Sequence, residues 1–155
     1  MTAESFPRAD ECNCLAVRQA ARHITQFYDQ FLAPAGLRTT QFSILMKLKR
    51  GGPLTINRLA AEMVMDRTTL GRNILPLERE GLVAIVKGSA DRRSKELRLT
   101  EAGRARLRHA VTGWAAAQMQ FEAAIGAGRA ADMRGILRQV TATDLGTAGA
   151  NTAAT

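Results

Sequence analysis

Apolar residues recur every third or fourth position along most of this chain. The places where that rhythm stops mark the ends of six predicted helices. Val17, Ala20, Ala21, Ile24, Phe27, Tyr28, Phe31 and Leu32 share one face of a first helix, from about Glu11 to Ala33, with Arg18, Arg22, Gln26 and Asp29 opposite. Pro34-Ala35-Gly36 stops it. A second helix starts at a Thr39 or Thr40 cap, carries Phe42, Ile44, Leu45, Met46 and Leu48 to Arg50, and ends at Gly51-Gly52-Pro53. A third runs from Ile56 to Met63 behind a Thr55 cap, and Val64-Met65 makes a short turn. Asp66 caps a fourth, Arg67 to about Glu80, which Gly81 terminates. The period then changes from 3.6 to 2: Leu82–Lys87 and Lys95–Leu99 alternate as two strands around a polar tip, Gly88–Ser94. Thr100 caps a fifth helix in which Leu107, Val111, Trp114, Gln118, Phe121 and Ile125 form a heptad seam, with Gln118 its one polar member. After Gly126-Ala127-Gly128 a sixth helix, about Ala130–Thr141, carries Met133, Ile136, Leu137 and Val140. The polar segment 1–10 reads as a flexible tail, and the small-residue segment 143–155 as a disordered one. The fold class is therefore mainly α with one small β hairpin.

Charge singles out the middle of the chain. Residues 1–37 hold 3 Lys/Arg and 4 Asp/Glu, residues 38–108 hold 16 and 7, and residues 109–155 hold 3 and 3, so the middle carries +9 against +8 for all 155 residues. That segment also reads as a helix–turn–helix followed by a basic hairpin, which points to double-stranded DNA as partner. In the fourth helix Leu70, Ile74 and Leu77 face inward, while Thr69, Arg72, Asn73 and Pro76 share the opposite face. Arg67 and Thr68 stand at its start, where backbone N–H groups favour a phosphate. Arg72 suits guanine O6/N7 and Asn73 suits adenine N6/N7. Pro76, in mid-helix, is expected to kink or split it. The hairpin tip carries Lys87, Arg92, Arg93 and Lys95, suited to phosphate or the narrow minor groove. The plainer alternatives are a solvated helix face and an ordinary solvated loop.

The runs Leu59-Ala-Ala-Glu-Met, Asp66-Arg-Thr-Thr-Leu, Leu77-Glu-Arg-Glu-Gly-Leu-Val83 and Asp91-Arg-Arg-Ser-Lys-Glu-Leu-Arg-Leu-Thr-Glu-Ala-Gly103 resemble the MarR family of bacterial transcription regulators. The likeness covers roughly residues 12–142. It implies a winged helix–turn–helix in each half of a homodimer, with the terminal helices forming the dimer interface. It also implies binding to a palindromic operator, usually as a repressor. On this reading 11–36 is a dimerisation helix, 37–100 the DNA-binding lobe and 101–142 further dimerisation helices. Arg93 matches the family's wing-tip arginine, and Arg67 to Asn73 match its major-groove helix. The expected DNA-contacting set is Arg67, Thr68, Thr69, Arg72, Asn73, Arg92, Arg93 and Lys95.

The family implies a switch, of which two forms have residues here. A small aromatic effector would use His23, Phe27, Tyr28, Phe42, Met46 and Trp114, on helices 1, 2 and 5. A thiol switch would use Cys14, which resembles the reactive cysteine of the organic-hydroperoxide-sensing branch. Tyr28 matches a tyrosine that this branch uses to hold the thiolate, but Arg18 stands where it has a second tyrosine. A metal site from Cys12, Cys14 and His23 or His109 matches no standard zinc spacing, so no metal or cofactor is expected. No supported nucleophile–base pair, phosphate loop or spaced His/Asp/Glu cluster suggests an enzyme. No 18-residue apolar run suggests a membrane span, and the first ten residues lack a signal-peptide layout, so a cytoplasmic protein is expected. A sequence-blind DNA packager and a protein-interaction winged helix are the remaining alternatives.

Overall fold

The computed structural model describes Phe6 and residues 8–146. It contains α1 (Asn13–Leu32), α2 (Thr39–Gly51), β1 (Leu54–Thr55), α3 (Ile56–Met63), α4 (Arg67–Arg79), β2 (Val83–Lys87), β3 (Lys95–Leu99), α5 (Glu101–Ile125) and α6 (Ala127–Ala142). The chain forms two compact units, Met1–Ala117 and Gln118–Thr155. The hydrophobic core lies in the first, where Leu45, Leu59, Leu70, Leu77 and Leu97 are wholly enclosed. These are the inward positions of α2, α3, α4 and β3, so the helix–turn–helix and the hairpin share one core.

Several boundaries depart from the sequence reading. Ala9–Glu11 is a 3-10 turn, so the expected tail is ordered over its last residues; Met1–Ser5 and Pro7 lie outside the described residues. Most of 143–155 also lies outside them. The N-cap of α2 is Arg38, whose N–H donates to Gln41 Oε1 at 2.9 Å. Thr39 instead ties α2 to α1: its N–H and its hydroxyl both donate to Asp29 Oδ1, each at 2.7 Å. The Val64 turn is a left-handed cap, with φ of 53° on a β-branched residue where glycine is usual. Pro76 does not split α4, which runs unbroken from Arg67 to Arg79. The Arg72 carbonyl that loses its intrahelical donor belongs to an exposed residue, within reach of water.

The sheet has three strands, not two, in the order β1-β3-β2, all antiparallel. Leu54 pairs with Leu97, and Val83 with Leu99. All four side chains are buried. A two-residue strand has no alternation to read, so β1 exists only through its partner.

The Leu-Thr-x-x-Gly run explains how α5 is fastened to this lobe. Thr100 Oγ1 donates to the Gly81 carbonyl at 2.6 Å and accepts the Gly103 N–H at 3.0 Å. The Thr100 N–H donates to the Leu82 carbonyl at 3.1 Å. Gly103 lies so close that a β-carbon there would run into the Leu82 carbonyl oxygen and a Leu99 methyl. Gly103→Ala is expected to cost ~1–3 kcal/mol of stability by overpacking. Gly71→Ala, at an exposed α4 position open around the added methyl, is expected to gain ~0.5–1 kcal/mol. Thermal unfolding of the two variants checks both signs.

Candidate nucleic-acid interface

Helix α4 starts at Asp66, whose Oδ1 accepts the Thr69 N–H at 2.8 Å and whose Oδ2 accepts the Thr69 hydroxyl at 2.6 Å. These bonds hold the Asp66 carboxyl below the ordinary aspartate value, with the Thr69 hydroxyl the largest cause. They also commit Thr69's hydroxyl hydrogen to the cap, which leaves its oxygen only as an acceptor for other partners. Leu70, Ile74 and Leu77 are buried, as the inward face requires. Arg67, Thr68 and Arg72 are exposed; Asn73 and Pro76 are half-buried. The Asn73 amide donates one hydrogen to the Thr69 carbonyl at 2.9 Å, which leaves its second N–H and its carbonyl oxygen for a base.

The wing tip between β2 and β3 is built by hydrogen bonds, not packing. The Gly88 N–H donates to the Ser94 carbonyl at 2.9 Å, and the Ser94 N–H and hydroxyl donate to the Asp91 carbonyl at 3.0 and 2.7 Å. Asp91 Oδ1 accepts the Arg93 N–H at 2.9 Å, so the acid shapes the tip and leaves the guanidinium free. Gly88 has no room for a β-carbon beside Ser94 and the Asp91 carbonyl. Arg92, Arg93 and Lys95 are exposed.

Part of the chain's positive charge is paired. Lys47 and Arg58 meet Glu62, Arg106 meets Glu80, and Arg104 and Arg108 meet Glu101. Among the described residues, Arg67, Arg72, Arg92, Arg93 and Lys95 have no ion-pair partner. The start of α4 and the base of the wing meet in a cleft of about 520 Å³ lined by Arg67, Arg93, Ser94 and Lys95, with Thr55, Ile56 and Asn57 from the start of α3. Thr55 and Asn57 were missed by sequence reasoning, because nothing in the pattern brings α3's first turn to the wing.

The expected effector residues divide. Tyr28, Phe42, Met46 and Trp114 line a cleft of about 480 Å³ together with Ile24, Val111, Lys47 and Arg50. The Phe42 and Trp114 rings stack with centroids 6.2 Å apart. His23 and Phe27 are not among the lining residues. They stand one position from Ile24 and Tyr28, about 100° around α1. His23 is exposed, and Phe27 packs on Phe31 at 5.1 Å and edge-on to Tyr28 at 5.6 Å.

Cys14 is exposed in the first turn of α1, and Cys12 is the N-cap, its Sγ accepting the Leu15 N–H at 3.4 Å. Cys14 and Tyr28 are fourteen residues apart on one helix, about 21 Å along its axis, so they do not meet within one chain. Among the described residues no three His, Cys, Asp or Glu gather as a metal site. No described helix is long and apolar enough to cross a membrane.

Residues 37–95 match the MarR family. The chain is 37% identical to the M. tuberculosis transcriptional regulator MosR, covering 88% of this chain and 100% of that one with a TM-score of 0.74. It is 38% identical to MosR in a complex with DNA, covering 85% and 98% with a TM-score of 0.73. It is also 31% identical, over 96 residues, to an uncharacterised HTH-type transcriptional regulator of Bacillus cereus; that match spans 62% of this chain and 63% of the relative's length. The chain belongs to the MarR family of transcriptional regulators. All eight residues expected at DNA, and the α4 cap, fall inside the matched segment. The family is one of regulators, not enzymes.

Because the Asp66 carboxyl is held below 3.8 in the folded protein, its contribution to stability is complete above that value and fades as pH falls through the lowered one. Asp66→Ala is expected to melt below the parent protein at pH 7. The gap is expected to narrow as the pH is taken from 4 to 3, which melting curves across that range check.

Proposed function

We propose that this chain is a sequence-specific DNA-binding regulator of transcription. It acts in the cytoplasm as a homodimeric, ligand-responsive repressor on a palindromic operator. The observation that carries this reading is the uncompensated cationic face, where the wing and the start of α4 converge on one cleft. Arg67, Thr68, Thr69, Arg72 and Asn73 enter the major groove, while Arg92, Arg93 and Lys95 follow the backbone and the minor groove. Dimerisation is supported within each unit by large apolar side chains left in water: Val17 and Val111 in one, Met119 (71% exposed), Ile136 (60% exposed) and Val140 in the other. An isologous pair covers them and sets two recognition helices about 34 Å apart, one turn of the duplex.

Selection from random duplexes followed by gel shifts tests the reading. A palindrome is expected to bind at least ~10³ tighter than random DNA. Arg72→Ala should cost ~1–3 kcal/mol at one base of each half-site. Arg93→Ala should weaken all sequences and flatten the slope of log K against log salt by about one. Equal affinity for every sequence would favour a packager, and no binding at low salt an interaction module.

The apolar cleft beside Trp114 is the effector site in this proposal. Stacked Phe42 and Trp114 make its aromatic wall, and Lys47 and Arg50 also line it. Trp114 is the chain's one tryptophan, so its emission reports occupancy directly. Titration with benzoate is expected to give saturable quenching that Met46→Phe, which narrows the cleft, weakens; a flat titration across simple aromatic acids and phenols would remove the effector reading.

A further inference from the structure

A second polar cleft, of about 330 Å³, lies against α4. It is lined by Arg72, Asn73 and Pro76 of α4, by Arg38, Thr40 and Gln41 at the start of α2, and by Thr25 and Asp29 of α1. Its position relative to the wing follows from helix geometry. Pro76 is nine residues beyond Arg67, which at about 100° per residue puts it half a turn around α4 from the residue lining the wing-side cleft. The second cleft therefore lies on a different side of the recognition helix from the wing and borders its reading face through Arg72 and Asn73. A helix lying in the major groove, about 12 Å wide, has a sugar–phosphate chain on each side. The wing side has cations for one of them.

We propose that Arg38 and Thr40 hold a phosphate of the other chain, in this second cleft, so that α4 is gripped from both edges of the groove. The assignment rests on the DNA-binding reading above and extends it to residues that the sequence pattern did not place at DNA.

The chemistry of the cleft fits a phosphodiester. Arg38 and Arg72 reach it from separate elements, and neither has an ion-pair partner among the described residues. Asp29 is the one acid lining it, and its Oδ1 already accepts two hydrogen bonds from Thr39. Two guanidiniums against one engaged carboxylate leave the cleft cationic. Thr40 adds a hydroxyl donor, and backbone contacts of this kind set register without reading sequence. Arg38 is exposed and caps α2 through its backbone N–H, so replacing its side chain leaves that bond in place.

The test uses a random-sequence 30-base-pair duplex, because a phosphate contact needs no operator, and follows affinity against sodium chloride. Arg38→Ala is expected to bind roughly tenfold more weakly at 0.1 M salt, with the slope of log K against log salt smaller by about one. Arg38→Lys is expected to keep the parent slope, and Thr40→Val to weaken binding with the slope unchanged. Arg38→Gln, which keeps the stem, is expected to repeat the alanine result and guards against a folding defect. If Arg38→Ala and Arg38→Gln match the parent while Arg93→Ala flattens the slope, the second cleft is not a phosphate site and the DNA-binding reading stands. If the parent itself shows no salt-dependent binding, both are overturned.

Discussion

The hydroxyl of Thr100 stands between two stretches of backbone, the turn after α4 and the first turn of α5. It gives its hydrogen to the Gly81 carbonyl, just after α4, and takes the Gly103 N–H in the first turn of α5. Its own N–H closes the triangle on Leu82. Gly103 then lets α5 approach Leu82 closer than any side chain would permit. The end of α4, the start of β2 and the first turn of α5 are thereby one rigid joint. Arg106, a turn further along α5, reinforces it by reaching back to Glu80 at 3.2 Å. The direction of α4, and hence of everything it presents to a duplex, is referred to α5 through this joint and not through a flexible loop. Gly113 does the same against α1, where a β-carbon would run into the Phe31 carbonyl.

Ion pairing neutralises part of the cationic surface. Lys47, Arg58, Arg104, Arg106 and Arg108 have acidic neighbours that neutralise them locally. Exposed pairs of this sort contribute little to stability. Their consequence is electrostatic: they neutralise cations outside the wing and the exposed face of α4, whose own Arg67, Arg72, Arg92, Arg93 and Lys95 stay unpaired. Three acids in that zone are engaged by hydrogen bonds. Asp66 holds the start of α4, Asp91 shapes the wing tip and Asp29 ties α2 to α1. A carboxylate that accepts donors from its own chain is a structural strut that repels phosphate less than a free one.

The helix–turn–helix, the wing and the apolar stripes were legible because each is a local pattern. Buried Leu70, Ile74 and Leu77 follow from a spacing of three and four, and the strands from alternation. The cap at Asp66 and the stop at Gly81 depend on residues adjacent to the helix ends. Where the reading departed from the structure, a distant partner decided. Thr39 looks like a cap by composition, yet Asp29 of α1 captures it and Arg38 takes the cap position. Leu54 is a strand residue only because Leu97 lies opposite. Pro76 breaks an isolated helix, yet here Leu77 beyond it is enclosed in the lobe's core and α4 continues through it.

The residues expected at an effector are sorted by packing between helices. Sequence spacing named the right helices, but His23 and Phe27 differ from Ile24 and Tyr28 by one position, and only the docking of α1 against α2 and α5 picks which pair faces the cleft. The same holds for Arg38 and Thr40, thirty-odd residues from Arg72 in the chain and across one cleft from it in space. Periodicity, caps, breakers and charge, which act over a few bonds, determined the elements, their inward faces and the cationic middle. Convergence of side chains from separate elements was decided by the tertiary structure alone, because it depends on the angles at which helices meet, and those are set by core packing and close backbone approaches that no short window of sequence contains.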